Sequence, residues 1–238
     1  PDTMNTREYF AAVNKWPVQE AVNAANEQDA FLFWNHAWWG RIFPNAIPVV
    51  PEFHKSNAKN KLIHGIEIAN GRSYSEEAFQ IALDLDLTLI GVSDIHGLID
   101  WDFEPHNGGH RPVTLVLAEE RTQESVREAL FAGRTVVWFK NILIGHTKNM
   151  AQLLDASLNI TSATYSGKSE VLVVEIENQS DTDFQLRNTT DFTFMTNTDF
   201  VEVKQHETTT IGVKTGKRAK SIKLKFEVLN ALTKPKQH

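Results

Sequence analysis

The sequence predicts an α/β protein in which a β/α domain over residues 1–150 precedes a small antiparallel β-sandwich over residues 151–238. Two observations predict this fold class. Up to about Met150, short apolar runs alternate with amphipathic helical patterns, which is typical of parallel strands covered by helices. After about Leu154 the helical period disappears, and apolar and polar residues alternate between clusters of Asn, Asp, Ser and Gly. That second pattern is typical of strands in a small sandwich.

The elements of the first part follow from hydrophobic period and from capping residues. Ser73 and Glu76 have the spacing of a capping box, while Thr122 is a candidate N-cap and Gly133 a candidate helix stop. The predicted helices cover 17–28, 73–86 and 122–133, and the predicted strands cover 30–36, 62–70, 87–94, 113–119 and 135–139.

The second part reads as six alternating strands, over 156–165, 169–179, 183–188, 191–197, 201–214 and 221–232. Five lysines near the end of the chain alternate along predicted strand positions, at Lys214, Lys217, Lys220, Lys223 and Lys225. They could form a binding site for a polyanion. We favour a solvated strand face that resists pairing with other strands.

Composition excludes several classes of protein. The chain has 238 residues, 41% of them apolar and 23% charged, which is typical of soluble globular domains. No apolar run is long enough to cross a bilayer, so we expect no membrane partner. The net charge of −6 argues against a specific nucleic-acid partner. Cysteine is absent, so any bound metal has to be held by His and carboxylate groups.

The candidate functional residues lie where predicted strands end. The strand over 30–36 ends in His36, and the strand "LTLIGVSD" runs into Asp94 and His96. On an extended segment, residues two apart face the same side, so Asp94 and His96 could bind one ion together. Imidazole and carboxylate suit zinc, manganese or iron. The alternative for His36 alone is a hydrogen-bonded structural imidazole, but the two strand ends together favour a metal site.

Several other residues are weaker candidates. Glu67 lies within the strand over 62–70 and could be a buried partner of a basic residue or support a ligand, and Asn70 ends that strand. His64 at the other end of the strand is more typical of a structural role. The loop "EPHNGGHRPVT" carries His106, His110 and Arg111, and an arginine can hold phosphate oxygens with its two-pronged guanidinium. The alternative is an exposed loop without function.

Three tryptophans follow the candidate ligand segments, at Trp38, Trp39 and Trp101. They could form an aromatic rim around a substrate. We favour packing against the second domain.

Taken in order, "NHAWWG", "GIEIANG" and "LTLIGVSDIH" resemble the PHP (polymerase and histidinol phosphatase) superfamily of metal-dependent phosphoesterases. The stretch from "SDIHG" to "KNILIG", with a sandwich after it, is most similar to a bacterial phosphodiesterase-like branch. The resemblance covers roughly residues 5–145. It implies a distorted β/α barrel, up to three divalent metal ions, and His36, Asp94 and His96 as metal ligands.

The family pattern also contains a segment that this sequence lacks. PHP chains open with a His-x-His strand, yet no His-x-His occurs here and His36 is the first histidine. The resemblance therefore implies a partial barrel without its N-terminal strands. We favour missing upstream sequence over a natural truncation, because a cut barrel exposes strand edges and apolar core. We expect weak metal occupancy and little activity from this chain alone.

The leading hypothesis is hydrolysis of a phosphomonoester or phosphodiester by metal-activated water in the complete protein. His36, Asp94 and His96 would be metal ligands, and His110 or Arg111 would steady the phosphate oxygens or the leaving group. The substrate would be a small phosphate ester. Two alternatives remain: a non-catalytic binding module with a degenerate barrel, and a metal-dependent amide or lactone hydrolase. The oligomeric state stays open, as does the compartment, for which a periplasmic or secreted location and a cytoplasmic one are both compatible with a Cys-free chain.

Overall fold

A computed structural model gives the fold, and the structure describes residues 6–43, 45–196 and 198–235. Parts of both predicted domains lie outside the described residues. These are residues 1–5 and 44 of the first domain, and residues 236–238 and Asn197 of the second. Asn197 is the last residue of the strand predicted over 191–197. The helices are α1 (Thr6–Val13), α2 (Val18–Asn26), α3 (Glu52–Lys59), α4 (Glu76–Leu85), α5 (Ile99–Phe103), α6 (Gln123–Phe131) and α7 (Thr147–Ser157), with a short 3-10 helix at Pro105–Asn107. Within the described residues, no helix is both long and apolar enough to span a bilayer.

The first sheet is built around a buried parallel strand. Its strands are β1 (Phe33–Trp34), β2 (Gly65–Asn70), β3 (Ser73–Tyr74) and β4 (Thr88–Val92). Strand β2 is central: β1 and β4 pair with it in parallel, and β3 folds back on it antiparallel. Five of the six residues of β2 are buried, because helix α4 packs on this sheet. The parallel arrangement predicted for these three strands is confirmed, although β1 is shorter than the predicted 30–36.

The second sheet differs from the prediction. It consists of β5 (Val113–Val116), β6 (Thr135–Phe139), β7 (Ile142–Gly145) and β15 (Ala231–Leu232). Strands β5, β6 and β7 pair antiparallel, so the expectation that β5 and β6 are parallel is wrong. Only the residues Lys140 and Asn141 separate β6 from β7, and so short a link can join only antiparallel strands.

The two sheets meet at Gly91 of β4. A Cβ atom at Gly91 would lie 2.5 Å from a methyl carbon of Val137 on β6, so only glycine allows this approach. The Thr114 hydroxyl on β5 donates to the Gly91 carbonyl and accepts from the Gly91 N–H. The described residues thus form a mixed α/β layer of two abutting sheets, and a closed ring of strands is not among them.

The predicted N-cap residues of two helices can be compared directly with the structure. The Thr122 side chain accepts a hydrogen bond from the Ser125 N–H and caps α6, as predicted. The capping box at Ser73 and Glu76 is wrong. Ser73 lies in β3, and the side chain of Ser75 caps α4 by accepting from the Ala78 N–H.

The C-terminal strands form two antiparallel sheets around one apolar core. They are β8 (Leu158–Tyr165), β9 (Val171–Asn178), β10 (Phe184–Asn188), β11 (Thr193–Phe194), β12 (Phe200–Val203), β13 (Thr208–Lys214) and β14 (Phe226–Val228). One sheet has the order β11-β13-β9-β8 and the other β12-β10-β14. The core between them contains Phe184, Phe194 and Val203. The predicted antiparallel sandwich strands are confirmed with two exceptions. Residues 221–225 lie outside any strand, and a turn over 204–207 divides the predicted strand 201–214 into β12 and β13.

The two parts of the chain share hydrogen bonds. Strand β15 pairs in parallel with β7, and the buried Asn230 side chain donates to the carbonyl oxygens of Asn141 and Asp183. Helix α7 runs across residue 150, where we placed the domain boundary. The last residues of the sandwich are therefore anchored on the first part of the chain.

Candidate functional site

The carboxyl ends of β1, β2 and β4 bring three polar side chains together. His36 follows β1 by two residues, Glu67 lies within β2, and Asp94 follows β4 by two residues. Because these strands are parallel and adjacent, their ends share one edge of the sheet. The sequence prediction of a polar cluster at this edge is based on the same reasoning.

His36 is held from behind by two residues of β2. Its Nδ1 atom lies 3.1 Å from Glu67 Oε1 and 3.0 Å from the Asn70 side-chain nitrogen. A carboxylate next to Nδ1 favours the tautomer that carries its proton there, which leaves the Nε2 lone pair free. Glu67 thereby selects the available nitrogen. The Asn70 amide nitrogen is itself a donor and cannot bond a protonated Nδ1, so Asn70 only packs against this edge of the ring.

The free nitrogen of His36 faces a carboxylate. Nε2 lies 3.9 Å from Asp94 Oδ1, and both side chains are about one third exposed. Both atoms are electron-rich, so their approach is unfavourable unless a proton or a cation lies between them. Zinc lies about 2.0–2.2 Å from nitrogen and oxygen ligands, so two atoms at this separation can both reach one ion.

The backbone is left-handed at both residues of this pair. His36 has φ of 53° and Asp94 has φ of 49°, two of nine such non-glycine residues in the described part of the chain. Aspartate and histidine adopt this conformation more readily than most residues with a Cβ atom. Here the left-handed backbone turns both side chains after the strands have ended.

The same observation corrects one premise of the sequence analysis. Asp94 and His96 do not lie on an extended segment, because β4 ends at Val92 and Asp94 is left-handed. The rule that residues two apart face the same side therefore does not apply. The His96 side chain is exposed, and its role as a ligand stays a prediction.

Glu67 is an unusual core residue. Its side chain has no exposed surface, and its second oxygen, Oε2, has no hydrogen-bond partner among the described residues. Burial raises the pKa of the Glu67 carboxyl, and the hydrogen bond with His36 opposes part of that rise. A buried carboxyl with an unpaired oxygen is costly for the fold, so its position behind His36 calls for a functional reason.

The donor set fits part of a metal site. Nitrogen and carboxylate oxygen are suitable ligands for zinc, manganese or iron, and a carboxylate behind a ligating histidine is the usual support for such a ligand. In the part of the chain that the structure describes, however, no group of three or more His, Asp or Glu side chains is arranged to hold an ion. His36 and Asp94 are thus two donors of an incomplete set.

Comparison with known proteins agrees with a two-part chain. A family model for an Ig-like domain (DUF5001) matches residues 158–238, a range that contains the sandwich strands β8 to β14. A crystal structure from Bacteroides vulgatus ATCC 8482 is 32% identical, with a TM-score of 0.81 over 93% of this chain. It is described as a two-domain protein containing a predicted PHP-like metal-dependent phosphoesterase. This chain is similar to it in fold and sequence.

The similarity does not extend over the whole Bacteroides protein. The chain spans 64% of the length of the Bacteroides protein, so the activity of a whole protein of that kind is not established by this chain. None of the curated proteins matches the chain. The comparisons support the coarse part of the resemblance inferred from the sequence: similarity to a protein described as containing a predicted PHP-like metal-dependent phosphoesterase, and an Ig-like domain in this chain.

His110 and Arg111 lie in the loop before β5. The two ring nitrogens of His110 lie 2.9 Å from the Arg111 carbonyl oxygen and 2.7 Å from that of Lys140, and the ring stacks on Trp138 at 4.0 Å. These contacts fasten the loop to the β6–β7 hairpin. The Arg111 side chain is exposed. A catalytic role for either residue stays a prediction.

A cavity of about 740 Å³ lies between this loop, the β2–β3 turn and the sandwich. Arg72, His110 and Trp138 line it from the first part of the chain, and Asp181 and Asp183 from the second. Arg72 follows Asn70 by two residues and donates to the Asp102 carbonyl. The cavity is therefore lined by the turn that directly follows Asn70, the residue of β2 that contacts His36.

The structure gives different outcomes for the tryptophan candidates and for His64. Trp39 contacts His36 edge-on at 6.3 Å and is 48% exposed, while Trp101 is 77% exposed. Packing against the second domain is therefore wrong for Trp39 and Trp101. It is also wrong for Trp38, which packs against the apolar core of the first part of the chain. His64 accepts a hydrogen bond from the Leu32 N–H and stacks on Phe31, so its predicted structural role is confirmed.

Sequence analysis undervalued Glu67 and Asn70. Both were recognised as polar residues of one strand, but their shared contact with His36 was not predicted. The available signal was a charged residue inside an otherwise apolar parallel strand, since such a residue is rarely buried without a specific partner.

Proposed function

We propose that the protein of which this chain is part hydrolyses a small phosphomonoester or phosphodiester with the help of divalent metal ions. The observation that carries the proposal is the gap between His36 Nε2 and Asp94 Oδ1, with Glu67 buried behind the imidazole. Similarity to a protein described as a predicted PHP-like metal-dependent phosphoesterase supports it. On this proposal the two abutting sheets belong to a PHP-type barrel of the bacterial phosphodiesterase-like branch.

Each residue has a defined part in this proposal. His36 and Asp94, joined by His96, hold a zinc, manganese or iron ion, and Glu67 keeps the His36 proton on Nδ1. When bound, such an ion lowers the pKa of water and offsets negative charge on the phosphoryl group. Arg111 holds phosphate oxygens with its guanidinium, and His110 positions the Arg111 loop. His36 and Asp94 supply only two donors, so the proposal requires further metal ligands from other residues of the protein.

The experiment is hydrolysis of bis(p-nitrophenyl) phosphate and p-nitrophenyl phosphate with added manganese or zinc. We expect slow, metal-dependent turnover by the wild type that is lost in Asp94→Ala and on chelation. Equal metal-dependent rates in the wild type and Asp94→Ala would overturn the proposal.

A second candidate is a binding module without catalysis. It is favoured by one observation, that no third His, Asp or Glu completes a metal site with His36 and Asp94 within the described ranges. On that alternative, the melting temperature does not respond to metal or chelator, and neither phosphate ester is hydrolysed.

A further inference from the structure

The segment over residues 217–225 concentrates positive charge on an acidic protein. It contains Lys217, Arg218, Lys220, Lys223 and Lys225 and no acidic residue. The whole chain has a net charge of −6, so the residues outside this basic segment carry −11. Nine consecutive residues thus together carry positive charge, opposite in sign to the net charge of the rest of the chain.

The structure changes the interpretation of these lysines. Sequence analysis placed Lys223 and Lys225 on a paired strand, where lysines resist edge pairing. In the structure, residues 215–225 lie outside any strand, between β13 and β14. Protection of a strand edge therefore does not account for them.

The basic segment is anchored at both ends. The Arg218 guanidinium donates to the Gly167 carbonyl and lies over the Tyr165 ring, whose hydroxyl accepts from the Ala219 N–H. At the other end the Lys225 carbonyl accepts from the Thr189 N–H. These contacts hold the segment against the sandwich.

In the second half of the segment the side chains alternate. Ile222 and Leu224 are partly buried against the sandwich core, while Lys223 and Lys225 are exposed. Residues two apart on extended chain lie roughly 7 Å apart on one side. Lys220, three residues before Lys223, is exposed as well, so residues 220–225 present a row of three ammonium groups to solvent.

The lysines of this segment lack an acidic partner in the part of the chain that the structure describes. Lys204 pairs with Asp183 and Glu202, and Lys61 pairs with Asp86. Lys217, Lys220, Lys223 and Lys225, by contrast, form no ion pair within the described residues. Mutual repulsion along the row is therefore relieved only by an external anion or by salt.

We propose that the basic segment binds a linear acidic polysaccharide. A narrow polymer can follow the row without covering the acidic remainder of the surface, whereas a DNA duplex would also face the net charge of −11 and be repelled. Single-stranded nucleic acid is held by stacking on aromatic side chains, and residues 217–225 contain none. Membrane insertion requires outward apolar side chains, whereas Ile222 and Leu224 pack inward.

Heparin, a sulfated linear polysaccharide, is the probe that tests this surface. Binding is measured by calorimetry at 50 mM and 200 mM salt for the wild type and for Lys220→Gln/Lys223→Gln/Lys225→Gln. The matched control is Lys55→Gln/Lys59→Gln/Lys148→Gln, which removes the same charge from exposed lysines elsewhere. We expect the first variant to bind at least about tenfold more weakly, the control to stay within about twofold, and salt to weaken wild-type binding.

Three results would overturn the proposal: no heparin binding by the wild type at 50 mM salt, equal loss in both variants, or tighter binding of duplex DNA or phosphatidylserine vesicles than of heparin. Unchanged melting temperatures confirm that both variants remain folded. Because no phosphate ester or metal is involved, the outcome is independent of the proposed function.

Discussion

His36 Nδ1 lies 3.1 Å from Oε1 of the fully buried Glu67, whose other oxygen has no partner among the described residues. The relationship links the core to the surface, because the strand that supplies Glu67 is buried while the imidazole it orients is partly exposed. It also gives a reason for placing a carboxyl in an apolar strand. The positioning of His36 is the part of the site that mutation can test most cleanly.

Removing the acceptor behind His36 should weaken metal binding without touching a ligand. Glu67→Met keeps the volume but leaves Nδ1 without an acceptor, and we expect zinc affinity to fall about 10–100-fold. Glu67→Gln retains an oxygen and should lose less. Titration calorimetry measures both, with Glu52→Gln on the exposed start of α3 as control. Identical affinities in Glu67→Met and wild type would refute the positioning role.

Glu67 should also make stability depend on pH in a defined direction. Because burial raises its pKa in the folded state, the folded protein binds more protons than the unfolded chain above the ordinary value of about 4.3. The free energy of unfolding contributed by this group therefore falls as pH rises through that interval. In chelator, urea unfolding at pH 4.5, 6.0 and 7.5 should show the wild type losing stability relative to Glu67→Gln. A difference that stays constant with pH would show that Glu67 does not titrate in this way.

Two tyrosines should respond in opposite ways to loss of their hydroxyl groups. The Tyr74 hydroxyl is buried and has no hydrogen-bond partner among the residues that the structure describes, so Tyr74→Phe should leave stability unchanged or raise it by up to about 1 kcal/mol. The Tyr165 hydroxyl accepts from the Ala219 N–H at 2.8 Å, so Tyr165→Phe should cost about 1 kcal/mol. Thermal unfolding of the two variants and the wild type measures both changes in stability. Destabilisation by Tyr74→Phe would mean that its hydroxyl has a partner.

Asn230 should couple the sandwich to the first part of the chain. Its buried side chain donates to the Asn141 and Asp183 carbonyls and accepts from the Gln185 N–H. Asn230→Ala leaves these groups unpaired, and we expect a loss of about 2–3 kcal/mol. The exposed Asn45→Ala is the control, with an expected effect within about 0.5 kcal/mol. Equal melting temperatures of the two variants would contradict this role.

Features set by local pattern could be predicted from the sequence. The alternating burial of Val171–Asn178 follows directly from its apolar-polar alternation, and the cap at Thr122 needs only its own turn. Strand direction could not be predicted, because β5 and β6 are as apolar as parallel strands and their pairing is decided by distant contacts such as Gly91 with Val137.

The residues that meet at the site could be predicted from the sequence only where their positions follow from the ends of the strands. The approach of His36 to Asp94 follows from adjacent parallel strands, whereas the left-handed backbone at Asp94 has no signature in "VSDIH". That conformation depends on the surrounding structure, which compensates for its cost. The same limit applies to Glu67, whose partner lies on another strand.

The most direct measurement is a calorimetric titration of zinc and manganese into the wild type, His36→Gln and Asp94→Asn. The account predicts weak, saturable binding of one ion by the wild type, and binding at least about tenfold weaker in both variants, because each loses one of two converging donors. Affinities that are the same in all three proteins, or no binding by the wild type, would contradict it.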